Sequence, residues 1–310
     1  MTIRAIVATL GIATLAAYLD RLSWFFELGT FFRLQYAALL VICAGVALAV
    51  RQWVPAAGAV ALALVNVGTI APHWSPRPDG APLGGDRVRM LFVNVDVSNR
   101  DHRRATAYVR ALEPDIVGVT ELSHAWARAL VGVMRGYRYR IVHIEDDAYG
   151  IGLYSQRRLA GRIERLPADG PATVVARFRL ARRPVTLVVT HPHTPFGPHA
   201  GGLHQQQLRA LARARAAWQA RAIVCGDLNT PPWSGPLRSL ERRAHLADSH
   251  RGYGFESTWP TWLWLLRTPI DNCLLSKGLL VVERSRGPKL GSDHFPLVIE
   301  LAATRLGRGG

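Results

Sequence analysis

Six short stretches place acid, amide or imidazole groups at the ends of apolar runs: Asn94 in FVNVD, Glu121 in GVTEL, His191 in VVTHPH, Asp227 and Asn229 in IVCGDLN, Asp271 in PIDN, and Asp293 with His294 in GSDHFP. Such groups hold hard cations, orient water and move protons. Asp227 and Asn229 lie two apart at a strand end, so they project to one side of a sheet and can address the same small ligand. Taken singly, none of these residues is diagnostic. A strand-end Asp often caps the next turn, and Asp227 to Asn229 ahead of Thr230-Pro231-Pro232 also satisfies an Asx-turn. A lone His in apolar surroundings is more often a hydrogen-bonded core residue than a catalyst.

Elements that bring these residues to one rim must alternate strands with helices. RMLFVNVDV (89–97) is strand-like, 103–112 is amphipathic with helical spacing, and DIVGVTEL (115–122) is strand-like again. Further strands are expected at 149–155, 173–180, 185–191, 222–226, 270–276, 280–284 and 295–301, and the clearest helix at 203–220. This is an α/β pattern beginning near Arg87. His193, His199 and His204 have no acid at zinc-site spacing. Asp96 reads either as an outer metal ligand or as a hydrogen-bonded neighbour of the site, while Asp146-Asp147 and Arg182-Arg183 read as turn and surface charge.

The 310 residues are 49% hydrophobic with a mean hydropathy of +0.09, and the apolar excess is concentrated before residue 75. Three apolar stretches lie there, 5–19, 34–50 and 53–71. About 20 residues cross a bilayer core of about 30 Å, so three transmembrane helices are expected within a membrane anchor over 1–71. The first stretch also fits a signal peptide, with Arg4 before it and Ala16-Ala17 as a small-residue site. Residues 72–86 are rich in Pro and Gly and read as a linker, 87–303 as the catalytic domain, and 304–310 as a flexible tail.

The chain carries a net charge of +16, and residues 86–310 hold 33 bases and 19 acids, a balance of +14. Such a field favours phosphate-bearing partners. Every base except Lys277 and Lys289 is arginine, which is also what a compositional bias produces. Cys43, Cys225 and Cys273 have no metal-ligand spacing and exclude a disulfide scaffold; Cys225 and Cys273 are expected to be buried free thiols.

Together and in this order, the strand-end residues resemble the endonuclease/exonuclease/phosphatase superfamily over 87–301, most specifically in GDLN (226–229) and SDH (292–294). The short apolar segments, THPHTPF, GDLNTPPWS and LGSDHFPLV also look like its membrane-anchored bacterial branch. The resemblance implies a two-sheet α/β sandwich of four layers, α/β/β/α, of the deoxyribonuclease kind. It implies metal-dependent attack of activated water on a phosphoester, with Glu121 and Asn94 at Mg²⁺ or Mn²⁺ and Asp293 beside the metal or orienting the water, an oxygen ligand set that suits those ions better than zinc. Asp227 would orient and deprotonate the water, and Asn229 would donate to the phosphate or hold that Asp. His294 would contact a non-bridging oxygen with Asp271 fixing its tautomer, and His191, or His193 in its place, would supply a second donor. Asp271-Asn272 departs from the Asp-His of many relatives but retains the acid.

A phosphodiester substrate is expected, with a nuclease favoured by the charge; a phospholipid phosphodiesterase or an inositol-phosphate phosphatase is the alternative. A catalytically silent membrane-anchored binding module is the non-enzymatic alternative, and the retention of Glu121, Asp227, Asp293 and His294 speaks against it. Membrane lipid and substrate are the expected partners, and the chain is expected to be a monomer without a protein partner. It is expected in a bacterial inner membrane with the catalytic domain on the outer side, although Arg21 and Arg33 weaken the positive-inside signal of Arg4 and Arg51. Finally, TWPTWLWLLRTPID (258–271) reads either as a buried strand or as a loop whose tip rests in the membrane interface.

Overall fold

A computed structural model describes residues 2–76, 82–254 and 256–305. Four helices come first: α1 (Ile3–Ala16), α2 (Trp24–Thr30), α3 (Arg33–Ala49) and α4 (Trp53–Ile70). Their small and apolar residues, among them Val7, Leu40, Ala44, Ala59 and Ala63, pack α1, α3 and α4 together. Large apolar residues such as Ile12, Ile42, Val54 and Leu64 cover the outside of this bundle and are exposed. By length and composition one helix, Trp53–Trp74, can cross a membrane; Arg33–Ala49 is shorter, and Ile3–Leu19 bends by 116° into Trp24–Thr30.

The rest alternates as its hydrophobic pattern requires. The elements are β1 (Pro82–Asn94), α5 (His102–Leu112), β2 (Ile116–Thr120), α6 (His124–Leu130), β3 (Tyr139–His143), β4 (Ile151–Ser155), β5 (Leu159–Arg165), β6 (Ala172–Leu180) and β7 (Arg183–Val189). They continue with α7 (Pro198–Ala214), β8 (Arg221–Asp227), α8 (Gly235–Ala244), β9 (Leu246–Asp248), β10 (Asp271–Ser276), β11 (Leu279–Arg286) and β12 (Leu297–Thr304). They form two six-stranded mixed sheets, ordered β11-β12-β1-β2-β4-β3 and β5-β6-β7-β8-β10-β9. Val88, Met90, Phe92, Val174, Leu187, Val189, Ile223 and Ile299 fill the space between the sheets. The alternate residues Leu91, Val93, Val117 and Val119 pack under α5 and α6, and Val188, Val224 and Leu274 under α7 and α8. The result is the expected four layers, α/β/β/α.

Several expectations are revised. The strand expected to open the domain near Arg87 already begins at Pro82, and a short 3-10 turn over Ala71–Trp74 follows α4 directly. Only 77–81 of the expected linker, and 306–310 of the expected tail, lie outside the described residues. Cys225 and Cys273 are not free thiols. They oppose each other on neighbouring antiparallel strands β8 and β10 and form a disulfide, whereas Cys43 is a buried free thiol in α3. The 258–271 segment is not a buried strand either: it forms a loop closed by a single Trp259–Thr268 bridge, and Trp262 and Trp264 are 68% and 70% exposed.

Candidate active site

The inward-facing parity of the strands carries the site residues. Val88, Met90 and Phe92 point between the sheets, and two residues further Asn94 does so at the end of β1. The same step of two leads from Ile223 and Cys225 to Asp227, from Leu187 and Val189 to His191, and back from Leu275 and Cys273 to Asp271. The core between the sheets therefore ends in polar groups at one rim. Asp227 and Asp271 are paired across β8 and β10, two residues beyond the disulfide, which holds their register. Gly226 has φ +139°, and a Cβ there would lie 2.1 Å from the Thr190 carbonyl oxygen, so only glycine lets β8 approach the end of β7 this closely. Glu121, Asp96 and Asn229 all take left-handed backbone, at φ 60°, 58° and 51°, and turn the chain sharply at the rim.

His294 Nδ1 donates to Asp271 Oδ2 at 2.8 Å, and its Nε2 lies 3.5 Å from Asp227 Oδ2. His191 Nε2 lies 3.3 Å from the same Asp227 oxygen, and its Nδ1 is 2.8 Å from the Ala148 carbonyl. Asp227 Oδ1 accepts the Asn229 backbone N–H at 2.9 Å, and the Asn229 amide donates to the Pro192 carbonyl at 2.9 Å. In this arrangement Asn229 holds Asp227 and the loop behind His191. The Asx-turn and the site geometry thus coexist.

Burial opposes every one of these charges, and the neighbours outweigh it at Asp227, His294 and His191 but not at Asp271. Burial would raise the Asp227 pKa, but His294, His191 and the Asn229 N–H bring it down to about 2. Burial would lower that of His294, yet Asp271 and Asp227 raise it to about 10, and Asp227 likewise raises His191. Asp271 is raised, by burial first and by Asp227, against the pull of His294. An ionised carboxylate flanked by the His294 imidazolium and by His191 forms a ready receptor for a phosphate oxygen and for a water to attack it.

Next to this lies an oxygen-rich edge. The Asn94 Nδ2 group donates to Glu121 Oε1 at 2.9 Å and to Asp227 Oδ2 at 3.1 Å, so one neutral amide bridges two carboxylates. The Asn94 oxygen is turned to the Asp96 N–H, at 3.0 Å. The Asp293 side chain is 40% exposed, its Oδ2 accepts the Trp259 indole N–H at 2.9 Å, and its Oδ1 is 3.8 Å from His294 Nε2. Glu121, Asp293 and Asp227 line one cavity of about 190 Å³. This donor set fits a hard divalent cation. Asp227, Asp271 and His294 also come within metal-binding distance of one another, but both ring nitrogens of His294 already face carboxylates, so this trio is better described as a proton-holding chain. Asp96 turns its carboxylate to Ser98, at 2.9 Å from the N–H and 2.7 Å from the hydroxyl.

Some cavity-lining residues were not singled out from sequence. Tyr149, Trp259, Phe196 and Phe31 form its walls. Tyr149 binds His193 Nδ1 through its hydroxyl at 2.6 Å, which leaves His191 as the imidazole against Asp227. Trp259 belongs to the tryptophan-rich stretch, a signal of this loop's involvement. Phe31 had none, because it lies in the N-terminal segment.

The sequence profile of the endonuclease/exonuclease/phosphatase family matches residues 91–294. The chain belongs to that family. It shares the fold of an endonuclease/exonuclease/phosphatase from Beutenbergia cavernae (TM-score 0.59, 19% identity, 73% of this chain and 74% of that one). It is equally similar to D. rerio TDP2 complexed with single-strand DNA product (TM-score 0.59, 17% identity, 71% and 100%). Sphingomyelinase C from Streptomyces griseocarneus is also similar (TM-score 0.51, 16% identity, 70% and 99%). No curated protein matches significantly. Membership makes the chain a phosphoesterase of a family that typically requires divalent metal, and the site contains the acids and histidines such chemistry uses.

Proposed function

We propose that the protein is a membrane-anchored, Mg²⁺- or Mn²⁺-dependent phosphodiesterase that acts on phosphodiesters at the membrane surface, with phospholipid headgroups favoured over nucleic acid. The observation that carries the reaction is the pair of histidines on Asp227, backed by Asp271 and set beside the Glu121 and Asp293 carboxylates in one cavity. Glu121 and Asp293 would hold the cation, which would supply positive charge to the phosphate oxygens, while Asn94, whose amide N–H groups bridge Glu121 and Asp227 and whose oxygen is turned to Asp96, would position the carboxylates rather than ligate. Asp227 remains ionised at neutral pH, so it orients the attacking water and accepts its hydrogen bond. His294 donates to a non-bridging oxygen while Asp271 holds its other proton, and His191 offers a second donor. Asn229 keeps Asp227 aimed.

The preference for lipid is supported by the walls of the cavity. Phe31, Phe196, Trp259 and Tyr149 leave about 190 Å³, enough for one phosphodiester and a small substituent. Phe31 joins α2 to α3, and the Gln35 amide of α3 donates to the carbonyls of Leu265 and Arg267 at 3.0 and 3.1 Å. The exposed Trp262, Trp264, Leu265 and Leu266 thus stand beside the apolar bundle, the arrangement that suits a membrane interface. The Cys225–Cys273 disulfide supports placing the catalytic domain on the oxidising, outer side.

The full chain in nanodiscs with Mg²⁺, assayed on phosphatidylglycerol vesicles and on single-stranded DNA, tests this reading. Headgroup release should exceed DNA hydrolysis per phosphodiester. Cleavage of DNA with untouched lipid would make the protein a nuclease, and failure on both, and on bis(p-nitrophenyl) phosphate, would remove the phosphodiesterase assignment.

A further inference from the structure

The segment between α1 and α3 reads from sequence as a connection between two apolar helices, yet its polar residues are buried. Asp20 is 3% exposed and Glu27 and Thr30 are fully buried. A carboxylate withdrawn from water is unfavourable unless it is matched by donors. Among the described residues, all of the hydrogen-bond donors to these two carboxylate groups come from the catalytic domain. Glu27 Oε1 accepts from the Thr230 hydroxyl at 3.2 Å and lies 3.3 Å from His204 Nδ1, and its Oε2 accepts from the Gln205 amide at 3.3 Å. Asp20 Oδ2 accepts the Gly235 N–H that opens α8, at 2.5 Å, and the Thr30 carbonyl accepts the Trp233 indole N–H at 2.6 Å.

Two glycines show that the surfaces are fitted to each other. A Cβ on Gly235 would lie 2.1 Å from Asp20 Oδ1, and one on Gly201 of α7 would lie 2.3 Å from the Trp24 Cβ. Both positions admit the segment only because the catalytic domain has no side chain there.

The groups contacted lead straight to the reaction centre. His204 Nε2 donates to the Leu228 carbonyl at 3.1 Å, and Leu228 stands between Asp227 and Asn229. Thr230 follows Asn229, and its hydroxyl oxygen lies 2.7 Å from the hydroxyl of Ser234, the side chain that caps α8, from which it can accept while its own proton goes to Glu27. The turn held in this way contains the left-handed Asn229, a conformation that persists only if its surroundings impose it. We propose that Glu27 is a positioning residue for Asp227 and Asn229, acting through His204 and Thr230, so that the hydrolytic site is complete only when the segment joining α1 to α3 is docked. The proposal rests on the reading of Asp227 and Asn229 as the pair that orients water. It makes the N-terminal helices part of the enzyme rather than a tether.

Full-length Glu27→Ala and Glu27→Gln, purified in detergent and assayed on bis(p-nitrophenyl) phosphate with Mg²⁺ well below their melting temperatures, test it. Glu27→Ala should lower kcat about 10- to 100-fold with KM within about threefold, because a small displacement of oriented groups is felt in the chemical step. Glu27→Gln keeps the shape and the acceptor for Thr230 but removes the charge facing His204, and should lower kcat at least about fivefold. Val109→Ala, in α5 on the other sheet, is the control for lost stability alone: it should lower Tm and leave kcat unchanged. Asp227→Ala, run in parallel, separates the two readings. An inactive Asp227→Ala beside a fully active Glu27→Ala would overturn the positioning role and leave the proposed function standing, whereas an active Asp227→Ala would overturn both. If Glu27→Ala does not fold, the near-isosteric Glu27→Gln decides, and a wild-type kcat in that variant would overturn the proposal.

Discussion

Two buried clusters of aspartate and histidine invite comparison. In one, Asp227 is flanked by His191 and His294, both with raised pKa, and the neighbouring Glu121 and Asp293 carboxylates face a cavity. In the other, Asp248 accepts from His73 Nε2 at 3.0 Å, from His250 Nδ1 and N–H at 3.1 and 2.9 Å, and from the Asn272 amide at 2.8 Å. His250 Nε2 in turn accepts from the fully buried Arg284 at 2.7 Å. Burial, and then Arg284, push the His250 pKa down to about 4, so this ring is neutral where His294 is charged. The same residue types thus make a receptor in one place and a clip in the other. What separates them is whether the donors and acceptors are matched within the protein or left facing an opening.

The sharpest way to break that distinction is to exchange phenotypes. Asp227→Ala should lower turnover at least about a hundredfold while the fold survives, since it removes one orienting group. Asp248→Ala should do the reverse: loss of a buried charge partner costs about 3–5 kcal/mol of stability, read by denaturant unfolding, with kcat per folded molecule nearly unchanged. A stable, inactive Asp248→Ala would show that the clip takes part in catalysis.

The disulfide tests how much of the receptor is register. Replacing Cys225 and Cys273 together by Ala opens a cross-link between residues 48 apart and should destabilise by about 2–4 kcal/mol, with reduction of the wild type giving a matching shift in Tm. Unchanged melting on reduction would mean that the two thiols are not bonded in solution.

The smallest effect concerns the edge of the clip. Burial, and then Asp248, raise the pKa of Glu241 on α8 to about 7 from an ordinary 4.5. Because the folded value is the higher one, the stabilising protonated form is fully present below pH 4.5 and is lost as pH rises through 7. Glu241→Gln should therefore match the wild type below pH 4.5 and exceed it by about 3 kcal/mol at pH 8. A pH-independent difference would show that Glu241 stays ionised when folded.

The receptor was readable from the chain because each of its residues terminates an apolar run, and the step of two that fills the inter-sheet core also carries Asn94, His191, Asp227 and Asp271 to the rim. The clip was not, since Asp248 and His250 stand in stretches without periodicity, His73 in a proline-rich one, and Arg284 at the end of an expected strand with nothing in the sequence to mark it as buried, so only tertiary contact assembles them. Strands β3 and β5 escaped because arginines and other polar residues break their apolar pattern, and β9 because it is three residues long. Pairing of Cys225 with Cys273 depends on the register of β8 against β10, which local sequence does not encode. The same limit hid Glu27: its partners are almost two hundred residues away, and burial alone shows its importance.

Hydrolysis of bis(p-nitrophenyl) phosphate by the full chain in nanodiscs, followed as Mg²⁺ is removed by a chelator and restored, tests metal-dependent phosphodiester cleavage most directly. The rate should fall to background and return on re-addition, and Glu121→Gln should raise the Mg²⁺ concentration needed for half-maximal rate at least about tenfold. A rate that survives exhaustive chelation would contradict it.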